Sequence, residues 1–316
     1  MKLGLKKFLK TTLPLAIGIS LVWYSLRDIN TDEFIGYFVN ANYAWVALGL
    51  FFGILSHLSR AYRWKFMLEP LGFQPKYANS VMAVLVAYLV NLTIPRAGEA
   101  SRAAVMSNYE GIPFQKGFGT IVAERVADLV MLFIVIIITL FVQFDFIWQL
   151  VMKNFDPFKI GVFLLALVIG IIFFILFIKK ATKGIGLKIK IFVNGLIEGV
   201  MTIFKMKKKW AFIFHTVFIW VMYVLMFWVT IYAIDGLSVP LGGILVGFIA
   251  GGFSIAATNG GIGLYPVAVS GAWLLFGIPE ESGTEFGWIM WTAQTAMIII
   301  FGGLSFLVLP LYNKAK

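Results

Sequence analysis

Arg96, Glu99 and Arg102 recur at three-residue spacing in Asn91-Leu-Thr-Ile-Pro-Arg-Ala-Gly-Glu-Ala-Ser-Arg102. On a helix that spacing puts the three side chains on one side. Two arginines and one glutamate leave a net positive charge, and the guanidinium fork suits phosphate. Pro95 removes a helix donor and fixes φ, so an incoming helix should end near Thr93 or Ile94. Gly98 lets backbone pack closely or bend. A helix restarting after Pro95 would aim free backbone N–H groups at the same place. The plainer reading of these residues is a structural Arg–Glu pair at a membrane surface. Glu124, Arg125 and Asp128 are expected to open the next long helix. Glu124 and Asp128 share a face, where like charges repel. The pair makes sense with a cation between them, Arg96 or Arg102, or else as ordinary charges at the end of a span.

Two further groups carry chemistry. Arg60 and Arg63 lie beside Tyr62 and Trp64. Snorkelling at an aromatic belt explains them, and so does recruitment of an anionic headgroup. Ala257-Thr-Asn-Gly-Gly-Ile-Gly-Leu-Tyr-Pro266 holds Gly260, Gly261 and Gly263, which no comfortable helix interior tolerates. A broken, ligand-approachable backbone lined by Thr258 and Asn259 follows, or alternatively glycines that serve tight helix packing. Packing better explains Gly242, Gly243, Gly247, Gly251 and Gly252 upstream. There is no cysteine, and His57 and His215 are the only histidines. No metal cluster, cofactor motif, nucleotide motif or catalytic constellation stands out, so the chain is not expected to be an enzyme.

The elements that must position these residues are membrane helices. Sixty per cent of the 316 residues are hydrophobic and 13% are charged. Soluble domains run nearer half apolar and a quarter charged. The net charge of +11 gathers in loops, where the positive-inside rule accounts for it without nucleic acid. Apolar stretches run from Thr12 to Leu26, Tyr43 to Met67, Val130 to Phe144, Ile160 to Ile178, Trp210 to Ile234 and Phe286 to Leu309. The first has the layout of a signal peptide but no small-x-small cleavage site, which favours an uncleaved span. Two more stretches, Ala78 to Met106 and Pro240 to Phe276, are interrupted.

Loop charge gives orientation. Residues 179–209 hold nine lysines against Glu198 and should be cytoplasmic, as should both termini. Asp28, Asp32 and Glu33, and the patch Glu280, Glu281 and Glu285, fit the outside. Each interrupted stretch must then enter and leave on one face. The expected fold is an all-α polytopic membrane protein, one domain over residues 1–316. It has about six full transmembrane spans plus two broken, re-entrant helical hairpins. Span, hairpin, span occurs twice, over residues 43–144 and 210–309, as an inverted-topology repeat with its site where the broken segments meet.

Pro95-Arg-Ala-Gly-Glu-Ala-Ser-Arg102, Glu124-Arg-Val-Ala-Asp128, Asn259-Gly-Gly-Ile-Gly263 and Arg60-Ala-Tyr-Arg63-Trp resemble the membrane domain of lysylphosphatidylglycerol synthases, which also occurs alone in flippase-like proteins. The resemblance covers nearly the whole chain. It implies translocation of a lipid, and the absence of a soluble synthase domain argues against aminoacyl transfer. The family's second motif commonly reads Pro-x-Gly-Gly-x-Gly with an acidic residue near its end. Here Thr258-Asn259 precede the glycines and no acid follows. The expected activity is flipping of a phosphate-bearing lipid, phospholipid or polyprenyl-phosphate-linked, in the cytoplasmic (inner) membrane. Its phosphate would lie near Arg96 and Arg102, with Glu99, Glu124 and Asp128 balancing the empty site. The alternatives are a lipid-modifying enzyme using Glu99 or Glu124 as base, and a non-catalytic membrane subunit of a glycosyltransferase or synthase. Membrane lipids are the expected partners, with a homo-oligomer or a partner synthase also compatible.

Overall fold

A computed structural model of the chain describes residues 31–94, 96–145 and 206–314, with isolated positions outside those ranges. The expected spans at Thr12–Leu26 and Ile160–Ile178, most of the basic 179–209 loop, and Pro95 lie outside the described residues. Among the described residues there are nine α-helices and no strand. They are α1 (Thr31–Val39), α2 (Tyr43–Leu68), α3 (Tyr77–Thr93), α4 (Gly98–Glu110), α5 (Phe114–Val142), α6 (Lys209–Ile231), α7 (Leu241–Ala257), α8 (Leu264–Leu274) and α9 (Glu280–Asn313). Four are long and apolar enough to cross a membrane: α2, α5, α6 and α9.

Local chemistry sets the helix ends. The Asn42 side chain accepts a hydrogen bond from Ala44 N (3.1 Å) and opens α2. A short 3-10 turn with Pro70 and the left-handed Gly72 closes it. α3 stops at Thr93, where the proline pattern placed its end. α5 begins at Phe114, ten residues before the expected opening at Glu124 and well before the apolar stretch from Val130. Gln115, Lys116 and Thr120 dilute the apolar signal of a helix that is nonetheless continuous. Glu124, Arg125 and Asp128 therefore sit inside α5 and do not open it. α9 begins at Glu280, whose acid and that of Glu281 complement the helix N-terminus.

The helix starts follow a regular offset. Those of α6 to α9 lie 166, 164, 166 and 166 residues after those of α2 to α5: Tyr43 and Lys209, Tyr77 and Leu241, Gly98 and Leu264, Phe114 and Glu280. Each set reads long helix, short pair, long helix.

The chain forms two compact units, residues 123–209 and the remainder. In the larger unit α9 packs against α1, α2, α3 and α8, while α3 packs on α2 and α4, and α7 on α8. Close approach needs small residues: a Cβ on Gly302 of α9 would lie 2.9 Å from the Leu85 carbonyl of α3. The apolar core sits among α6, α7, α8 and α9, where Phe227, Trp273 and Phe286 meet at ring-centroid distances of 4.7 to 6.1 Å. Gly247 makes room for the Trp273 indole and Gly251 for the Tyr265 ring, as expected of packing glycines. Gly252 differs: a Cβ there would meet open space.

Candidate functional site

The larger unit buries three arginines: Arg60 and Arg102 are 3% exposed and Arg63 is fully buried. Arg60 and Arg63 come from α2, Arg102 from α4. Arg63 Nη1 donates to Thr216 Oγ1 of α6 (2.9 Å), and its guanidinium lies 5.2 Å from the Phe212 ring centroid. The Arg102 guanidinium stacks 3.8 Å from the Trp64 ring centroid, close enough for a strong cation–π contact. Trp64, itself fully buried, is fixed in turn, because its Nε1 donates to Thr120 Oγ1 (2.8 Å). Arg63 and Trp64 are consecutive, so this indole–guanidinium pair and the Arg63–Thr216 pair adjoin. Burying guanidinium groups in an apolar surround is expensive unless each finds a partner or an anion.

The two interrupted segments meet each other. Between α3 and α4, Gly98 N donates to Asn91 Oδ1 (2.7 Å), tying the turn across its mouth. A Cβ on Gly98 would collide with the Ala87 carbonyl, at 2.2 Å. Arg96 in this turn holds a left-handed φ of 60°, a strained conformation for a side-chain-bearing residue. Between α7 and α8, Gly260, Gly261 and Gly263 all take positive φ, which explains why glycine stands there. Leu92, at the end of α3, fills the space where a Gly260 Cβ would be, 2.7 Å away. The Gly260 carbonyl accepts a hydrogen bond from Trp291 Nε1 of α9 (2.9 Å). The Asn-bearing and glycine-bearing turns therefore touch.

The family-model description "Lysylphosphatidylglycerol synthase TM region" matches residues 12–302. The chain belongs to that family. With four helices of spanning length, this member of the lysylphosphatidylglycerol synthase transmembrane family is a multi-pass membrane protein. A UPF0104 membrane protein of Methanocaldococcus jannaschii is 33% identical over 125 residues, 39% of this chain and 37% of that one. The glycosyltransferase AglD of Haloferax volcanii is 33% identical over 102 residues, 32% of this chain and 16% of its own length. Each alignment spans less than two thirds of the relative. No solved structure matches.

The family motifs named from sequence fall at separate places. Arg102 stacks on Trp64 beside Arg63, and Arg60 faces Tyr223, whereas Arg96 is exposed in the turn and outside α4. Arg96 thus leaves the helical face shared by Glu99 and Arg102, because its left-handed backbone precedes the first turn of α4. Arg60 and Arg63 do not snorkel: both point into the protein. Glu124 is buried, and Asp128 pairs with Arg125 at 3.6 Å. Thr258 caps α7 through its Oγ1, which donates to Ser254 O (3.0 Å), and Asn259 is buried in the turn. Trp64, Thr120 and Thr216 were not singled out as site residues. Trp64 alone carried a signal, an aromatic inside an arginine run.

Proposed function

We propose that this protein moves a phosphate-bearing lipid between the leaflets of the cytoplasmic membrane, without chemical change to the lipid. The single observation that carries the reading is the buried arginine group: Arg63 on Thr216 and Phe212, with Arg102 stacked on Trp64. Buried guanidinium groups concentrate positive charge in an apolar surround, and phosphate is the anion a lipid offers to such charge. A phospholipid and a polyprenyl-phosphate-linked lipid both fit that chemistry. The near-constant helix offset and the touching turns support an inverted-topology repeat of two re-entrant hairpins gating the site from opposite faces. Loop charge supports cytoplasmic termini.

Leaflet-resolved assays in proteoliposomes test this. The wild-type protein should accelerate dithionite-accessible turnover of a fluorescent phosphatidylglycerol or polyprenyl monophosphate. An Arg63→Ala, Arg102→Ala variant with undiminished rates would sink the proposal. The stretch shared with AglD favours a second reading, a non-catalytic membrane subunit serving a glycosyltransferase. Co-purification of a transferase with the intact chain, together with no lipid movement by the wild type, would select it.

A further inference from the structure

His57, Arg60 and Arg63–Trp64 stand at successive turns of α2. His57 is 14 residues past Tyr43 and 11 before Leu68, so it lies about 21 Å from one end of α2 and about 16 Å from the other. Arg63 is two turns nearer the Leu68 end. The group around Arg60 is thus deeper along the span than the Trp64–Arg102 pair. Its partners come from three helices. Tyr223 OH of α6 lies 3.4 Å from Arg60 Nη2 and 3.3 Å from Tyr88 OH of α3. The His57 ring lies tilted against Tyr88 at 4.6 Å and meets Tyr223 edge-on at 6.4 Å. His57 Nδ1 is buried and has no hydrogen-bond partner.

Three features point to a ligand. Arg60, Tyr88 and Tyr223 converge from three helices, with polar atoms 3.3 and 3.4 Å from the Tyr223 hydroxyl. An orphaned buried ring nitrogen is unfavourable, and it borders the same phenols. An arginine buried inside a spanning helix, 17 residues past Tyr43 and 8 before Leu68, marks function by default. A guanidinium, two phenols and an imidazole offer donors to one tetrahedral anion.

We propose that Arg60, Tyr88, Tyr223 and His57 form a mid-membrane station for the phosphate of the transported lipid, distinct from the capture site at Arg63, Trp64 and Arg102. This rests on the reading of the chain as a mover of phosphate-bearing lipids. The headgroup passes from the stacked Arg102 to Arg63 and then to Arg60, with successive rungs of α2 about 4.5 Å apart. At the station the phenols and the imidazole replace the water that the phosphate leaves behind. Leu92, one helical turn beyond Tyr88 at the end of α3, is where the glycine turn touches that helix.

The test separates capture from passage. Tyr88→Phe/Tyr223→Phe and His57→Gln variants are reconstituted in phosphatidylcholine vesicles carrying either fluorescent phosphatidylglycerol or fluorescent polyprenyl monophosphate. Binding of the same probes to detergent-solubilised protein is measured in parallel, and the moved probe identifies the lipid class. The expected result is a roughly tenfold slower leaflet exchange with binding changed by less than about twofold. The single Tyr88→Phe and Tyr223→Phe variants, each removing one oxygen, serve should the double variant fold poorly. Wild-type rates in all of these variants, with loss in Arg102→Ala, overturn the station and leave the transport reading standing. Equal losses of binding and rate also overturn it, since one site and not two would then be at stake. A wild-type protein that neither binds nor moves either probe overturns both.

Discussion

The two helix sets share one plan and differ in what they bury. At an offset of 166 residues Arg60 falls on Met226, Arg63 on Val229, Glu99 on Tyr265 and Arg102 on Ala268. The first set buries guanidinium groups against hydroxyls and an indole. The second buries Met226, Phe227, Tyr265, Trp273 and Phe286 against one another. Its turn is shaped by three left-handed glycines, where the first set uses an asparagine tie and a strained Arg96. Two helix sets of the same order thus present a charged wall and an apolar wall. The difference favours the first set as the place to test for function, because lipid-like packing needs no charge and buried charge needs a reason.

The sharpest way to break that comparison is to delete charge at one member of a matched pair and trim bulk at the other. Arg63→Ala removes a fully buried cation and leaves the Thr216 hydroxyl facing a hole. Lipid exchange should fall on the order of a hundredfold, the scale expected when one partner of a buried charged contact is lost. Val229→Ala at the corresponding position should leave exchange within about twofold, because a half-buried aliphatic contributes packing alone. Dithionite quenching in proteoliposomes measures both. Similar losses in the two variants would show that the halves work as equals.

The second set should break by overpacking. A Cβ on Gly247 would sit 2.4 Å from Trp273 Nε1, the atom that donates to the Gly243 carbonyl. Gly247→Val should cost about 1–3 kcal/mol, read as a lower melting temperature in detergent. The Arg63→Ala protein should melt closer to the wild type than it transports.

Parts of this contrast were legible in the residues alone. Proline chemistry located the end of α3, and apolar length located α2 and α6 within a few residues and α9 less closely, since its polar first turns lie outside the apolar stretch. The motif glycines announced a turn and took the positive φ that only glycine adopts readily. The direction in which Arg60 and Arg63 point was not legible. Hydropathy measures how apolar a stretch is, not which of its faces meets protein, so a belt and a buried ladder look alike. The Trp64–Thr120 and Arg63–Thr216 contacts join residues 56 and 153 positions apart, beyond any local pattern. The early start of α5 was hidden because polar residues on one face lower the average without breaking the helix.

Arg96 tests whether the exposed motif arginine belongs with the buried ones. Its φ of 60° costs a side-chain-bearing residue about 1 kcal/mol, which glycine does not incur. Arg96→Gly should raise stability by roughly that amount, followed by thermal melting. It should slow lipid exchange far less than Arg102→Ala, since its side chain stands outside the buried group. An equal loss of exchange would extend the charged wall to the turn.

The smallest effect offers the finest test of the apolar wall, since it compares neighbours on one helix. Gly251 and Gly252 lie in the interior of α7, where both carry the entropic cost of glycine in a helix. A Cβ at Gly251 would meet the Tyr265 ring at 2.7 to 3.0 Å, whereas at Gly252 it would meet nothing within 4 Å. Alanine should therefore have opposite signs at the two positions. Gly252→Ala should stabilise by up to about 1 kcal/mol, the helix-propensity difference. Gly251→Ala should lose that gain and more, because Tyr265 is buried and its ring must move for the methyl to fit. Paired melting curves decide it: stabilisation by both substitutions would mean that α7 and α8 are not as closely packed as the apolar wall requires.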